Sequence, residues 1–94
     1  MPLQAIIIVT GSVQQVNFRN CTRKAATALG LVGTVENLYD GSVRIVAQGS
    51  QEQLQAIVSW CETTGSPRSK VKQVTFETTE VLQLLFKSFK VVRE

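Results

Sequence analysis

Arg19 closes a stretch, Gly11-Ser12-Val13-Gln14-Gln15-Val16-Asn17-Phe18-Arg19, that follows directly on the apolar run Ala5 to Val9. That run is rich in β-branched residues and too short to span a membrane, so it reads as a buried strand; Thr10 and Gly11 end it, and helical spacing takes over from Asn20. A strand that passes through a short loop into a helix leaves backbone N–H groups unpaired at the helix start, where the dipole also favours negative charge. This is an anion site in outline. Consecutive N–H groups in a turn can form a concave nest, and a guanidinium adds a planar fork matched to phosphate oxygens. Other chemistries lack their residues. The chain contains no histidine, which removes histidine-based triads and histidine metal ligation. The loop carries no Gly-Lys-Ser/Thr and no dinucleotide fingerprint. Glu36 and Asp40 flank the next turn without forming a convincing acid–base pair. Cys21 lies near a helix start that could lower a thiol's pKa, but burial is the simpler reading. Asn37 suits a strand-end turn. By position alone, Arg19 and Asn37 stay open between a structural and a functional role.

The elements that must position these residues are short. Strand one is expected over Gln4 to Thr10, and a helix over Asn20 to Leu29 with Cys21, Ala25, Ala28 and Leu29 on one stripe, stopped by Gly30. Val32 to Asn37 reads as a second strand, Leu38 to Gly41 as a turn, and Ser42 to Gln48 as a third strand with Val43, Ile45 and Ala47 on one face and Arg44 and Gln48 on the other. Ser50 and Gln53 fit a capping box before a helix whose stripe is Leu54, Ile57, Val58 and Cys61, with Trp60 as core-edge packing. Thr63 to Ser69 is a connector. Lys70 to Thr78 is a fourth strand in which Val71 is out of phase with Val74 and Phe76, so a bulge is expected. Glu80 to Leu85 has helical spacing at Val81, Leu84 and Leu85 but is too short to decide. Phe86 to Val92 closes as a short strand.

Helices this short cover one face of a four-stranded sheet. The expected fold is therefore an α+β two-layer sandwich of ferredoxin-like plan, βαββαβ with a short extra C-terminal strand, a mostly antiparallel sheet and two helices on one face. In that plan strands one and two run the same way, so the Gly11–Arg19 loop and Asn37 meet at one edge.

The motif Gly-x-Val-Gln-x-Val-x-Phe-Arg after the first strand, with Val35, Asn37, Leu38, Asp40 and Gly41 in a later Val-x-Asn-Leu-x-Asp-Gly, resembles the acylphosphatase family. The order of elements, the Gly65 to Val71 stretch and the closing Phe89-Lys90-Val91-Val92 fit the same family, and the likeness covers nearly the whole chain. Two positions depart: the family usually has glycine at Gln15 and glycine or another small residue at Asn17. The resemblance implies hydrolysis of acyl phosphates, which are carboxyl–phosphate anhydrides, to carboxylate and inorganic phosphate, with no cofactor, metal or covalent intermediate. It implies that the backbone of Ser12, Val13, Gln14, Gln15, Val16, Asn17 and Phe18, with the Arg19 fork, holds the phosphoryl group, and that Asn37 orients the attacking water. The alternative is a weakly active or inactive anion-binding module of the same fold.

Composition bounds the rest. With 94 residues and 44% hydrophobic content, one small domain over 1–94 is expected. Cys21 and Cys61 form no disulfide framework and read as free thiols in a reducing compartment. No signal-peptide pattern or membrane-length run is present, so the expectation is a cytoplasmic monomer acting on a small-molecule substrate. The net charge of +3 arises in the last third, where Arg68, Lys70, Lys72, Lys87, Lys90 and Arg93 outnumber Glu77, Glu80 and Glu94. A solvated, edge-protecting face accounts for it. RNA readers of this fold stack bases on aromatics in the central strands, and Gln4 to Thr10 and Ser42 to Gln48 contain none.

Overall fold

The computed structural model describes residues 2–92; Arg93 and Glu94 of the charged C-terminal third lie outside them. Among the described residues the order is β1 (Leu3–Ser12), α1 (Phe18–Ala28), β2 (Val32–Asn37), β3 (Val43–Gly49), α2 (Gln51–Thr63), β4 (Lys70–Glu80) and β5 (Phe89–Val91). The strands form one sheet in the order β4-β1-β3-β2-β5. Neighbours are antiparallel except β2 and β5, which run parallel. This is the ferredoxin-like sandwich with its appended strand.

One face of the sheet is sealed. Ala5, Ile7 and Val9 of β1, Val35 of β2 and Val43, Ile45 and Ala47 of β3 are buried against Leu54, Ile57, Val58 and Cys61 of α2 and against Phe18 and Ala26 of α1. The period-two alternation in the strands and the 3.6 period in the helices put these residues on facing surfaces. Phe18 packs on Trp60 with ring centroids 5.5 Å apart and planes tilted by 47°, which ties the start of α1 to α2. The Ser50–Gln53 capping box closes the start of α2 as expected.

Several boundaries differ from the sequence expectation. α1 starts at Phe18, two residues early, and its buried face is Phe18, Thr22 and Ala26, with Ala25 and Leu29 half-buried and Ala28 exposed. The large ring of Phe18 sets the helix's rotation. Thr22 can be buried because its hydroxyl donates to the Phe18 carbonyl at 2.8 Å, leaving no polar atom unpaired. β4 runs on to Glu80, and its expected bulge falls where the register with β1 shifts between Thr10 and Gly11.

Residues 81–88 are neither helix nor strand. They carry the chain from one sheet edge to the other, because β4 and β5 occupy opposite edges. The helical spacing of Val81, Leu84 and Leu85 misleads here, since Leu84 and Leu85 are exposed and Val81 is only half-buried. The Leu85 N–H donates to Gln48 Oε1 at 2.7 Å, and Gln48 Nε2 donates to Gln4 Oε1 at 2.9 Å. Gln48, expected on the face opposite Val43, Ile45 and Ala47, is fully buried beneath this segment. The expected closing strand Phe86–Val92 shortens to Phe89–Val91, the part that pairs with β2.

Candidate active site

β1 and β2 both pair antiparallel with β3, so they run parallel to each other and end at the same edge of the sheet. The loop between β1 and α1 and the turn between β2 and β3 therefore face one another. Val13 and Phe18 are buried and Val16 packs against the core, whereas Gln15 and Asn17 are exposed. The apolar side chains pin the loop from beneath and leave its backbone at the surface.

That backbone is bent twice into the left-handed region, with φ of 61° at Gln15 and 63° at Asn17. Asn17 occupies the N-cap position of α1 without a side-chain cap bond to the helix. Its Oδ1 instead accepts from Asn20 Nδ2 at 3.0 Å, and asparagine visits this region more readily than most residues. Glutamine does so at a cost of about 1–2 kcal/mol. Gln15→Gly is therefore expected to raise stability by up to about 1 kcal/mol, the strain relieved less the extra freedom glycine gives the unfolded chain. Its urea midpoint tests this, and a lower midpoint would show that the Gln15 side chain has a supporting contact in the loop.

Left-handed residues in this loop have a consequence for hydrogen bonding. No backbone N–H from Gln14 to Asn20 donates to another group among the described residues. α1 has no acidic residue in its first turn, so the positive end of its dipole is uncompensated.

A cavity of about 160 Å³ lies against these groups, lined by Val13, Gln15, Asn17, Phe18, Arg19, Asn20, Asn37 and Val91. Arg19 and Asn37, distant in sequence, thus share one space. Of the remaining loop positions, Ser12 ends β1 opposite Lys70, Val16 turns to the core, and the Gln14 side chain points to the β2–β3 turn, where its Nε2 donates to the carbonyls of Leu38 at 2.8 Å and Ser42 at 2.9 Å. This last contact escapes a sequence reading, which credits the loop with backbone groups only.

Arg19 is half-buried, and its Nη1 donates to the Val92 carbonyl at 3.0 Å. Among the described residues it has no carboxylate partner. The guanidinium is thus oriented by a neutral acceptor. Asn37 is the mirror case. Its Oδ1 is buried with no hydrogen-bond partner, and its amide nitrogen has none either among the described residues. A buried acceptor left open costs about 1–3 kcal/mol, so its retention at a cavity wall points to a ligand or water that completes it. Glu36 pairs in register with Arg44 across β2 and β3, with Nη1 to Oε1 at 3.9 Å. Strand alternation turns it away from Asn37.

The turn behind Asn37 is closed by Asp40, whose Oδ1 accepts from the Ser42 hydroxyl and, at 2.9 Å, from the Ser42 N–H. These bonds hold its carboxyl below the ordinary carboxylate value of 3.8. A carboxyl lowered on folding adds stability above its unfolded value, and that contribution disappears as pH falls through the folded one. The stability gap between the wild type and Asp40→Asn is expected to shrink as pH drops from about 5 to about 2. Urea unfolding at several pH values measures it; a constant gap would mean that Asp40 closes the turn without its charge. Cys21 is half-buried and Cys61 buried, both free, and burial pushes the Cys61 thiol up to about 12.

Fold and cavity together define a class: a small α+β sandwich that presents a run of free N–H groups, one arginine and one open amide at a single sheet edge. The comparisons say which one. The chain belongs to the acylphosphatase family, whose profile matches residues 5–91. It is 49% identical over 67 residues to an acylphosphatase of Xanthomonas axonopodis pv. citri, covering 70% of this chain and 79% of that protein. Its structure is similar to the crystal structure of acylphosphatase from Bacillus subtilis, with a TM-score of 0.90, 37% identity and coverage of 97% of this chain and 99% of that one. An acylphosphatase from Coxiella burnetii matches with a TM-score of 0.88, 33% identity and coverage of 97% and 93%.

Proposed function

We propose that the protein is an acylphosphatase that hydrolyses acyl phosphates to carboxylate and inorganic phosphate. One observation carries the assignment of roles: Arg19 and Asn37 line the same cavity, beside a loop whose N–H groups from Gln14 to Asn20 are unpaired among the described residues.

In this reading the phosphoryl group sits against the loop N–H groups and the Arg19 guanidinium, which together take the charge of its peripheral oxygens. The Asn37 side-chain amide hydrogen-bonds a water and places it in line with the scissile P–O bond. The water oxygen bonds to phosphorus, the anhydride oxygen leaves as carboxylate, and the water's proton passes to the phosphate product. An amide cannot take that proton. The reaction tolerates this, because a carboxylate leaves without protonation and a loose transition state needs mainly positioning and charge stabilisation. In this reading the protein acts as a cytoplasmic monomer on a small molecule.

The test is hydrolysis of benzoyl phosphate by purified protein in the presence of a chelator. Turnover that resists the chelator supports the reading. Phosphate binding without turnover above buffer would establish the anion-binding alternative.

A further inference from the structure

We propose that Gln14 is a positioning residue, whose side-chain amide couples the anion loop to the turn that carries Asn37. The inference rests on the acylphosphatase reading and assigns to Gln14 a role beyond its backbone N–H.

Both hydrogens of one amide nitrogen are used. Nε2 donates to the Leu38 carbonyl at 2.8 Å and to the Ser42 carbonyl at 2.9 Å. Because both partners are acceptors, only the nitrogen of the amide can face them. The two carbonyls bracket the β2–β3 turn, and Leu38 is joined directly to Asn37. Among the described residues no other hydrogen bond links residues 13–20 to residues 37–43. The half of the site that holds charge and the half that holds the amide are therefore tied by one side chain. Among the described residues the Asn37 side chain has no partner of its own, so its place is inherited from the backbone on either side: the ladder to Val43 within β2–β3 and the Gln14 bridge just beyond it. In-line attack is sensitive to displacements of about 1 Å, which cost on the order of 100-fold. Without the bridge the turn keeps only its internal bonds, such as Leu38 N–H to the Ser42 carbonyl at 2.8 Å, none of which fixes it relative to the anion loop.

The test is steady-state kinetics with benzoyl phosphate, together with competitive inhibition by inorganic phosphate, on the wild type, Gln14→Ala, Asn37→Ala and the double variant. Gln14→Ala is expected to lower kcat about 10- to 100-fold, with KM and the phosphate inhibition constant within about twofold of the wild type, since the loop and Arg19 stay in place. In the Asn37→Ala background the same change is expected to alter kcat by less than about twofold, because a residue acting through Asn37 has nothing left to position. A merely structural residue would multiply the two losses, and that result overturns the inference. So does a Gln14→Ala enzyme with wild-type kcat, or one whose phosphate inhibition weakens in step with kcat.

Should Gln14→Ala fail to fold, Gln14→Glu keeps the shape and removes the donors while ionised. Its kcat is expected to recover towards the wild type as pH falls and the carboxyl regains a donor; a wild-type profile throughout overturns the proposal. The failure of the underlying reading looks different: no turnover by the wild type, or full turnover by Asn37→Ala with Gln14 intact.

Discussion

Arg19→Ala is expected to reduce turnover of benzoyl phosphate by about a hundred- to a thousand-fold or more, the scale of one lost oxyanion donor at about 3 kcal/mol, and to weaken inhibition by inorganic phosphate as well. Both effects follow from its setting. The guanidinium lines the cavity, is aimed by a neutral carbonyl and has no carboxylate to neutralise it among the described residues. The loss should not be a folding effect. Arg19 is only half-buried, and its single bond to Val92 is of the kind that contributes about 1 kcal/mol. Kinetics and urea unfolding of the same sample decide the matter. A variant with near-normal turnover would remove Arg19 from the site, and one that lost activity only in proportion to lost folded protein would make it structural.

Asn37→Ala separates activity from stability in the opposite sense. On the proposed role of Asn37 in placing the water, its loss is expected to lower kcat by about 100-fold or more while inhibition by inorganic phosphate stays near the wild-type value. Stability should hold or rise, because alanine deletes a buried acceptor that is unpaired among the described residues. A marked fall in the urea midpoint would show that the Asn37 amide is satisfied within the fold, and would count against a ligand role. Opposed signs at one position are the signature of a polar group held at the fold's expense for the sake of chemistry.

How far the sequence reveals this site depends on which atoms do the work. The strand-to-helix passage and the Asn37 turn are legible because Ile6 to Val9, Val32 to Asn37 and Ser42 to Gln48 follow strand periodicity cleanly, and the parallel direction of β1 and β2 follows from topology. The left-handed bend at Gln15 can be suspected only because glycine is the usual residue there. The start of α1 is missed by two residues because Asn17 enters the helix through its backbone, without the side-chain cap bond that marks a helix start. The Gln14 bridge is invisible because a glutamine in a loop carries no pattern. Gln48 is hidden for a different reason: its burial depends on residues 81–88, whose leucines imitate a helix stripe while the chain crosses the sheet.

β5 follows every other described element along the chain, and its docking beside β2 brings up the Val92 carbonyl that aims Arg19. The loop and the Asn37 turn lie within earlier sequence, as does the core beneath them apart from Phe89 and Val91 of β5. During synthesis the earlier elements therefore emerge before the acceptor that aims the Arg19 guanidinium. The bond to Arg19 is thus a marker of a docked β5, where the Phe18–Trp60 contact marks only the packing of the two helices.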